Sequence, residues 1–443
     1  MKKVYLILAG ILGIHLLILA RLGFTAWPEM VSFPYLVSKG FALYKDFVHP
    51  YPPLLTFLLV GVYKLFGYKL LVLKVLTWAI VLANDVLIFL IVKKLAKSIK
   101  WALIGVLFYS LTQPFLEGNQ LWFDLAIVPP LLLGTLFFLN KKYLLGGLLI
   151  AVAALTKQTA GIYLVLGFLY LVFTKEKFKN ILFFSAGPIV LGVLLGTYLV
   201  INNLLLDFLD WTLVYPFTFW SSFPGYVQME LNNRQVLILG VLLIPLIFLI
   251  SKVKNYALVV LFFATAFILV YPRFSFFHFQ LALAFFAILY GIALKEVRKP
   301  IYYVLFLIPL IVVFLKAPYN FNKEARFWSS SELEFAHKIR LKAENKSIFL
   351  LGSQSALYVF SESLPPKPWA DNFVWFYEIP GFQEKVIKSW DENRPSSIAW
   401  QDPSQGNWFD LGVYQPKKIT DWISINYNRK EEIEPGIWLW QKK

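Results

Sequence analysis

Residues 23–53 set the organisation of this chain and read GFTAWPEMVSFPYLVSKGFALYKDFVHPYPP. They follow the first long apolar run and place Glu29, Asp46 and His49 among prolines and aromatic rings. The chain is 58% hydrophobic and 15% charged, so its carboxylates are scarce. Ionisable groups in so apolar a chain mark functional positions by default. We therefore expect chemistry in a polar loop that lies against a membrane.

The composition is that of a polytopic membrane protein with many spans rather than one anchor. The formal net charge of +16 comes from lysines that cluster between apolar runs, which is the pattern of cytoplasmic loops. This distribution argues against a nucleic-acid partner. The sequence contains no cysteine, so disulfides and thiolate metal sites are excluded.

The spacing of the apolar runs predicts the membrane topology. With ~20 residues for each crossing, about eleven transmembrane helices are predicted, at 4–22, 70–92, 101–116, 121–139, 143–156, 158–173, 181–203, 235–251, 256–270, 279–294 and 301–316. The basic clusters then share one side, which places the N-terminus in the cytoplasm. We expect the plasma (inner) membrane of a prokaryote, with a membrane domain over 1–316, a first external loop over 23–69 and an extracytoplasmic domain over 317–443.

Two choices keep the basic clusters on one side. Residues 53–66 would form a helix of only ~21 Å against a ~30 Å hydrocarbon core, so we expect a juxtamembrane helix on the outer surface. Residues 143–173 as one helix would bury Lys157 and Gln158 in mid-membrane. We expect two short segments that meet at 156–159 instead.

Two later stretches depart from the apolar pattern. Residues 204–234 are too polar to cross and carry Trp211 and Trp220, rings that suit the headgroup level and could line a lateral lipid groove. Beyond residue 316, short β-rich runs at 347–351 and 397–400 alternate with a helical pattern at 382–393. This alternation predicts a small external α/β domain.

The first loop offers three candidate site residues. Glu29 follows Pro28 and is either a helix-start acid or a general base. Asp46 is either a second catalytic carboxylate or a solvated partner of Lys45. His49 lies before a proline-rich turn and could supply a hydrogen bond or a metal ligand. No spacing is a metal signature, so a divalent cation (Mg or Mn) stays an open alternative.

Arg273 and His278 stand at a span junction on the side that lysine avoids. Such charges need a partner, and a lipid phosphate on the outer leaflet meets that need, with Arg273 as a bidentate fork and Lys157 as a point charge. The alternative is pairing with ambient headgroups.

Three further polar positions complete the candidate set. Glu117 and Asp124 flank a turn between two spans. A hairpin turn needs only the glycine and the asparagine there, so it does not explain the two acids. Gln158 accompanies Lys157 at its turn, where the lysine alternatively snorkels to the headgroups. His15, alone in the first span, is expected to be a packed helix-contact residue rather than a ligand.

Several of these segments resemble a known family. The first loop contains G-x-x-L-Y-x-D-F at residues 40–47, and a Pro-Pro-Leu at 52–54 opens an apolar helix that ends in Leu-Phe-Gly at 65–67. With LTKQ at 155–158 and YPR at 271–273, residues 1–316 resemble the GT-C superfamily of membrane glycosyltransferases. Within it the chain is similar to bacterial dolichyl-phosphate-mannose protein mannosyltransferase-like and aminoarabinose-transferase-like proteins.

The resemblance implies an inverting transfer of a sugar from a polyprenyl-phosphate donor to an acceptor (a protein, lipid or glycan) on the extracytoplasmic face. The family's first-loop base corresponds to Glu29. Relatives more often carry Asp-Glu where this chain has Pro28-Glu29, so Asp46 is the substitute. We expect Glu29, Asp46, Lys157 and Arg273 to line one pocket. A lipid-linked sugar transporter or flippase, or an oligosaccharide polymerase or ligase, remains the alternative.

Overall fold

The structure is a computed structural model and describes residues 2–223, 226–227, 230–316, 321–343, 347–403 and 414–443. The chain divides into two compact units. The first consists of Met1–Thr25, Leu73–Gly196 and Gln228–Lys323, and the second of Ala26–Val72, Thr197–Val227 and Glu324–Lys443. The sequence did not predict that most of the first loop joins the C-terminal residues in one unit.

The helices follow the predicted apolar runs closely. Those lying wholly or mainly in the first unit are Lys2–Arg21, Leu70–Ala96, Ile99–Thr112, Phe123–Ala126, Val128–Leu139, Tyr143–Ala154, Ile162–Phe173, Phe178–Ile201, Asn233–Leu243, Ala257–Ile268, Gln280–Glu296 and Val304–Lys316. Shorter turns of 3-10 or π type lie at Pro114–Gly118, Gln158–Gly161, Ile244–Tyr256 and Pro300–Tyr303. The predicted helical membrane architecture is confirmed.

Helix length and composition identify which of these elements could cross a bilayer alone. Within the described residues, four are long and apolar enough, namely Lys3–Arg21, Leu70–Ala96, Phe178–Ile201 and Asn233–Ile268. Most of the remaining apolar helices have 10–17 residues and need neighbours to complete a crossing of ~30 Å. The number of about eleven crossings stays a prediction.

The predicted break in residues 143–173 is present. Helix Tyr143–Ala154 ends, Lys157 takes an extended conformation with φ −143° and ψ 124°, and the turn Gln158–Gly161 leads into helix Ile162–Phe173. An extended residue cannot continue the helical hydrogen-bond ladder. The break therefore presents Lys157 at a helix end, as predicted.

The centre of the first unit is the buried helix Gln280–Glu296. It packs against Ile99–Thr112, and a Cβ added at Gly291 would lie 2.9 Å from the Trp101 carbonyl oxygen. On the facing helix, a Cβ at Gly105 would lie 3.0 Å from the Ala287 carbonyl oxygen. Small residues let two apolar helices approach until their backbones touch. In lipid, where the hydrophobic effect does not drive helices together, the van der Waals packing gained in this way stabilises the pair.

The second unit contains helices Glu29–Ser38, Leu54–Phe66, Leu205–Leu209, Tyr215–Thr218, Ser330–Lys342, Ala356–Phe360, Val374–Tyr377, Phe382–Glu392 and Lys417–Asn426, with π and 3-10 turns at Asp210–Val214 and Trp220–Ser222. The predicted juxtamembrane helix is Leu54–Phe66, which packs on Glu29–Ser38. It buries Leu55 and Leu59 and exposes Leu58 and Leu65. Its position on the membrane surface stays a prediction.

A four-stranded sheet confirms the predicted α/β character of the C-terminal residues. Its strands are β1 (Ile348–Leu351), β2 (Ser397–Gln401), β3 (Tyr427–Glu434) and β4 (Ile437–Lys442), in the order β1-β2-β4-β3. β1 and β2 are parallel, and the helix Phe382–Glu392 lies in the crossover between them. The other two pairs are antiparallel. β1 is buried along its whole length, so the loop that follows it starts in the interior.

The rings of Trp211 and Trp220 do not face a lipid groove, and the predicted headgroup level of Trp211, Tyr215, Trp220 and Tyr226 stays a prediction. Both tryptophan rings are nearly fully buried inside the second unit. The Trp211 indole N–H donates to the Tyr44 carbonyl oxygen at 3.1 Å, and the Trp220 ring packs on Phe376 at 5.4 Å between ring centroids. These rings hold protein segments together rather than facing lipid. Residues 224–225 and 228–229 of the predicted segment lie outside the described residues.

Candidate active site

Three predicted site residues of the first unit meet around one carboxylate. Lys157 Nζ donates to Asp124 Oδ1 at 2.6 Å, and His278 Nδ1 lies 2.8 Å from Asp124 Oδ2. The side chains are 13%, 17% and 8% exposed for Lys157, His278 and Asp124. We call these three residues the Asp124 cluster. Both carboxylate oxygens are engaged, so Asp124 orients its two partners.

Local structure explains how three distant segments supply this cluster. Asp124 lies in the first turn of Phe123–Ala126, where a helix favours an acid. Lys157 occupies the extended break before Gln158–Gly161, and His278 lies two residues ahead of helix Gln280–Glu296. Gln158, the other predicted residue at this turn, begins the 3-10 segment. Each residue is therefore fixed at the end of a helix.

The electrostatics of His278 place Arg273 near the cluster. Burial lowers the pKa of His278, the hydrogen-bonded Asp124 opposes that change, and the positive charges of Lys157 and Arg273 lower the pKa further. His278 is then neutral at pH 7, and its Nδ1–H donates to Asp124. The positive charges of Lys157 and Arg273 thus both act on the same imidazole.

Glu117 joins the loop of His278 from the neighbouring turn. Its Oε2 accepts the Phe277 backbone N–H at 3.1 Å, and its own backbone is in the left-handed region at φ +54°. A non-glycine residue held at positive φ needs support from its surroundings. Glu117 therefore serves as a loop clamp in this structure, and its predicted role in substrate binding stays a prediction.

The residues before and after Arg273 in the sequence line an apolar cavity of about 480 Å³. Its lining includes Tyr271, Pro272 and Phe274 from the arginine's own segment. The opposite side comes from residues that include Leu231, Val236 and Phe267. A cation next to an apolar cavity is the arrangement that an anionic lipid requires, with its head on the charge and its chain in the cavity.

The second unit holds the other predicted acid, Glu29, in the first turn of Glu29–Ser38. Glu29 is 6% exposed and its Oε2 accepts no hydrogen bond among the described residues. Burial raises its pKa well above the usual range, and the neighbouring Asp371 carboxylate raises it further. Burial also raises the pKa of Asp371 to about 7, which the Ser355 hydroxyl only partly opposes.

Asp371 lies in a buried polar loop that the sequence reasoning missed. The Ser32 and Ser355 hydroxyl oxygens are 3.0 Å apart, which joins the Glu29 helix to the loop after β1. Asn372 Nδ2 donates to the Leu350 carbonyl oxygen at 3.2 Å. We call Glu29, Ser353, Asp371 and Asn372 the Glu29–Asp371 cluster. The signal was small polar residues directly after a buried strand, where ligand sites form in α/β sheets.

Asp46 and His49 make local contacts in the second unit. Asp46 Oδ2 accepts from Lys367 Nζ at 2.7 Å and from the Ala42 backbone N–H at 2.9 Å. His49 is fully buried, with Nδ1 at 2.7 Å from the Tyr51 carbonyl oxygen and Nε2 at 2.8 Å from Thr56 Oγ1. Burial lowers the pKa of His49 to about 4. These contacts hold the first loop in its conformation, and the predicted site roles of both residues stay predictions.

His15 is confirmed as a helix-contact residue and has a partner that the sequence reasoning missed. His15 Nδ1 lies 2.7 Å from Asp85 Oδ2, and Nε2 lies 3.2 Å from Gln113 Oε1. Gln113 Nε2 donates to Gln280 Oε1 at 3.0 Å, and Ser110 Oγ donates to Asp85 Oδ1 at 3.3 Å. We call these five residues the His15 network. It pairs polar groups between otherwise apolar helices.

The predicted site residues therefore fall into two sets. Lys157, Asp124, His278 and Arg273 come together in the first unit, whereas Glu29 and Asp46 belong to the second. The expectation that Glu29, Asp46, Lys157 and Arg273 line one pocket stays a prediction.

Comparisons with known proteins give the fold but no sequence relative. No family model matches the chain, and no curated protein matches it. Among solved structures, the chain is similar to ArnT from Cupriavidus metallidurans bound to undecaprenyl phosphate, with a TM-score of 0.60, 10% identity, and 99% of this chain and 98% of that chain covered.

Two further solved structures are similar to the chain. The archaeal oligosaccharyltransferase AglB from Archaeoglobus fulgidus, in complex with an inhibitory peptide and a dolichol-phosphate, gives a TM-score of 0.55 at 9% identity over 98% of this chain and 74% of that chain. Arabinofuranosyltransferase AftD from Mycobacteria gives a TM-score of 0.55 at 10% identity, over 98% of this chain and 40% of that chain. The chain therefore shares the fold of these three proteins, in agreement with the fold that the first-loop resemblance predicted.

Proposed function

We propose that this protein is an integral membrane glycosyltransferase that transfers a sugar from a polyprenyl-phosphate donor to an acceptor on the extracytoplasmic face, with inversion. The observation that carries the proposal is the convergence of Lys157 and Arg273 on His278, beside an apolar cavity that borders Arg273. ArnT bound to undecaprenyl phosphate and AglB bound to a dolichol-phosphate share the fold, which supports a lipid-phosphate donor.

The leaving group of this reaction explains the cations. When the bond between the sugar carbon and the phosphate oxygen breaks, the polyprenyl phosphate departs with additional negative charge. Lys157 can offer further ammonium protons beyond the one it gives Asp124, and Arg273 can offer a fork of N–H donors. Cations fixed before the reaction stabilise such charge without reorganisation.

The acceptor needs a base to take its hydroxyl proton as its oxygen attacks the sugar carbon from the side opposite the phosphate. Glu29 is the proposed base, because it is a buried carboxylate with an oxygen that accepts no hydrogen bond among the described residues. Asp46 remains the substitute, although its ion pair with Lys367 and its bond to the Ala42 N–H hold it in place.

Purified protein supplied with a polyprenyl-monophosphate sugar is expected to release polyprenyl phosphate. Glu29→Gln is expected to lower kcat by roughly 10²–10⁴. Lys157→Met and Arg273→Gln are each expected to raise KM for the donor by about tenfold, since each removes a charge-assisted hydrogen bond. Lys141→Met is the control, because the Lys141 side chain is 78% exposed and pairs only loosely with Glu176 at 3.9 Å.

Other outcomes identify the alternatives. Movement of the lipid-linked sugar across vesicles without release of polyprenyl phosphate would indicate a transporter or flippase. Release only from a pyrophosphate-linked oligosaccharide would indicate a polymerase or ligase. Full activity of Glu29→Gln with loss in Asp46→Asn would move the base to Asp46.

A further inference from the structure

One face of the C-terminal sheet carries three tryptophan side chains on two adjacent strands. Side chains alternate along a strand, so Trp438 and Trp440 of β4 share one face, while Leu439 between them is fully buried on the other. Trp400 of β2 is the register partner of Trp438, and its ring stacks on that of Trp440 at 5.1 Å between centroids and 30° between planes. All three tryptophans are partly exposed. Large apolar rings grouped on the open face of a sheet mark an interaction surface.

Arg429 of β3 adds a cation to this surface. It is the register partner of Trp440, and its guanidinium carbon lies 3.4 Å from the centre of the Trp438 ring. A guanidinium stacked on an indole keeps its N–H groups at the edge of the stack, where they can still donate hydrogen bonds. The Arg429 side chain is therefore held in place by the ring and presents donors beside it.

The acids of β3 do not neutralise Arg429. Glu431 and Glu434 pair with lysines of the helix Ser330–Lys342, at 2.7 and 2.8 Å. Glu432 accepts a backbone N–H of the turn between β3 and β4 at 2.7 Å. Arg429 is exposed and forms no ion pair within the described residues. Its N–H groups are thus available to a ligand.

These side chains line one cleft, which we call the Trp438 cleft. It has a volume of about 130 Å³, and its lining consists of Trp400, Asp402, Pro403, Arg429, Trp438 and Trp440. A cavity for one water needs about 10–15 Å³, so the cleft has room for about ten water-sized groups, which is the scale of one sugar ring. Its walls are indole faces, with one cation and one carboxylate among them.

The chemistry of the cleft favours a neutral sugar. The C–H groups on one face of a pyranose ring carry a small positive charge and pack on the negative face of an indole. The hydroxyl groups at the edge of the same ring both donate and accept hydrogen bonds, so they match a guanidinium and a carboxylate together. We propose that the Trp438 cleft is a binding site for a neutral sugar ring.

Other occupants fit the cleft less well. Arg429 and Asp402 carry opposite charges, so the cleft has no excess charge that would favour an anion or a cation. A hydrocarbon chain would remove water from both charged groups and offer them no hydrogen bond. Aromatic pairs across strands also stabilise a sheet, but that role needs neither a cleft nor an unpaired arginine stacked on one of the rings.

This site goes beyond the proposed transferase activity and does not rest on it. The cleft is made of residues of the sheet and of the segment directly after β2, and its binding test needs no lipid-linked donor. A failure of the sugar-binding test would leave the release of polyprenyl phosphate untouched, and the reverse also holds.

The test is saturation-transfer-difference NMR on the full-length protein, with the methyl pyranosides of glucose, galactose, mannose and N-acetylglucosamine as probes. The protein is kept in a detergent without a sugar head group, because a glycoside detergent would compete for the cleft. At least one probe is expected to give a saturable signal with a millimolar Kd. Saturation transfer is expected to be strongest to the C–H protons on one face of its ring, since that face packs on the indole.

Two variants locate the binding site. Trp438→Leu keeps an apolar side chain in β4 but removes the ring face, so the saturable signal is expected to disappear. Arg429→Gln removes a charge-assisted hydrogen bond and is expected to raise the probe Kd by about fivefold or more. Its melting temperature is expected to match the wild type, because no ion pair within the described residues is lost. This second variant decides the question even if Trp438→Leu unfolds.

The matched control is Arg394→Gln. Arg394 is also exposed and also lies over an indole of the second unit, with its guanidinium carbon 5.7 Å from the centre of the Trp422 ring. It is not part of the cleft, so the probe Kd is expected to stay at the wild-type value. No saturable signal from any probe with the wild type, or a Kd that Arg429→Gln raises no more than Arg394→Gln does, would overturn the proposal.

Discussion

The His15 network and the Glu29–Asp371 cluster are both buried and polar, but they differ in hydrogen bonding. In the network, both oxygens of Asp85 and both ring nitrogens of His15 have side-chain partners. In the cluster, Glu29 Oε2, Ser353 Oγ and Asn372 Oδ1 have no hydrogen-bond partner within the described residues, and the Asp371 carboxylate is opposed only by the Ser355 hydroxyl. A satisfied network stabilises and specifies a fold, whereas an unsatisfied one is costly unless a ligand completes it. The difference separates a structural role from a binding role.

The His15 network also reaches the loops that carry two predicted site residues. Gln280 Nε2 donates to the Leu116 and Phe276 carbonyl oxygens at 2.7 and 2.9 Å. Gln113 Nε2 donates to the Gly118 carbonyl oxygen at 2.9 Å, and a Cβ at Gly118 would lie only 2.1 Å from that same nitrogen. Only glycine fits there. The network therefore fixes the turns next to Glu117 and His278 from inside the helices.

The largest expected effect comes from Asp85→Asn. The substitution weakens the charge-assisted bond to His15 in a fully buried site, at a cost of about 3 kcal/mol in unfolding free energy. Thermal unfolding in detergent measures the loss. The double variant His15→Leu with Asp85→Leu is expected to recover part of the stability, since it removes both charged partners and leaves only Gln113 Oε1 without its imidazole partner, while Ser110 Oγ keeps its bond to the Val106 carbonyl oxygen. A wild-type melting temperature for Asp85→Asn would contradict a structural role for the network.

The buried histidine His49 gives the next effect. The pKa of His49 falls from 6.5 to about 4 on folding, so between these values the unfolded chain binds a proton that the folded protein does not. Stability is then complete above pH 6.5 and falls as the pH falls. The linkage is about 1.4 kcal/mol for each pH unit, or about 2 kcal/mol between pH 6.5 and 5. Unfolding in urea across that range, with His49→Gln as the reference that cannot titrate, isolates this contribution. Equal slopes for both proteins would show that the pKa of His49 does not change on folding.

The smallest effect, and the most informative beside Asp85→Asn, is expected from Asp371→Asn. This substitution removes a buried charge that has only the Ser355 hydroxyl beside it, so the melting temperature is expected to stay level or to rise by the equivalent of about 1 kcal/mol. A fall as large as that of Asp85→Asn would mean that Asp371 already has a partner, and the contrast between the two regions would disappear.

Local patterns were sufficient for most of the fold. The apolar runs, the break at Lys157, the helix over 53–66 and the strands near 348 and 397 were all predicted, because each depends on neighbours a few residues apart. The sequence analysis predicted that Lys157 and Arg273 serve one lipid phosphate, but it did not predict that both act on His278. Asp124 was a candidate, but its position between Lys157 and His278 joins residues up to 154 positions apart.

Composition and periodicity are enough to predict the membrane class, the helical architecture and the rarity of acids, because they decide which segments are buried away from water. Which acids are paired depends instead on how distant segments pack. Asp85 and Asp371 are the same residue type, and each is bordered by apolar chain, yet one meets His15 from 70 positions away and the other meets Glu29 from the opposite end of the chain. The free energy of a buried charge depends on its nearest neighbours in space, and long-range packing sets those neighbours.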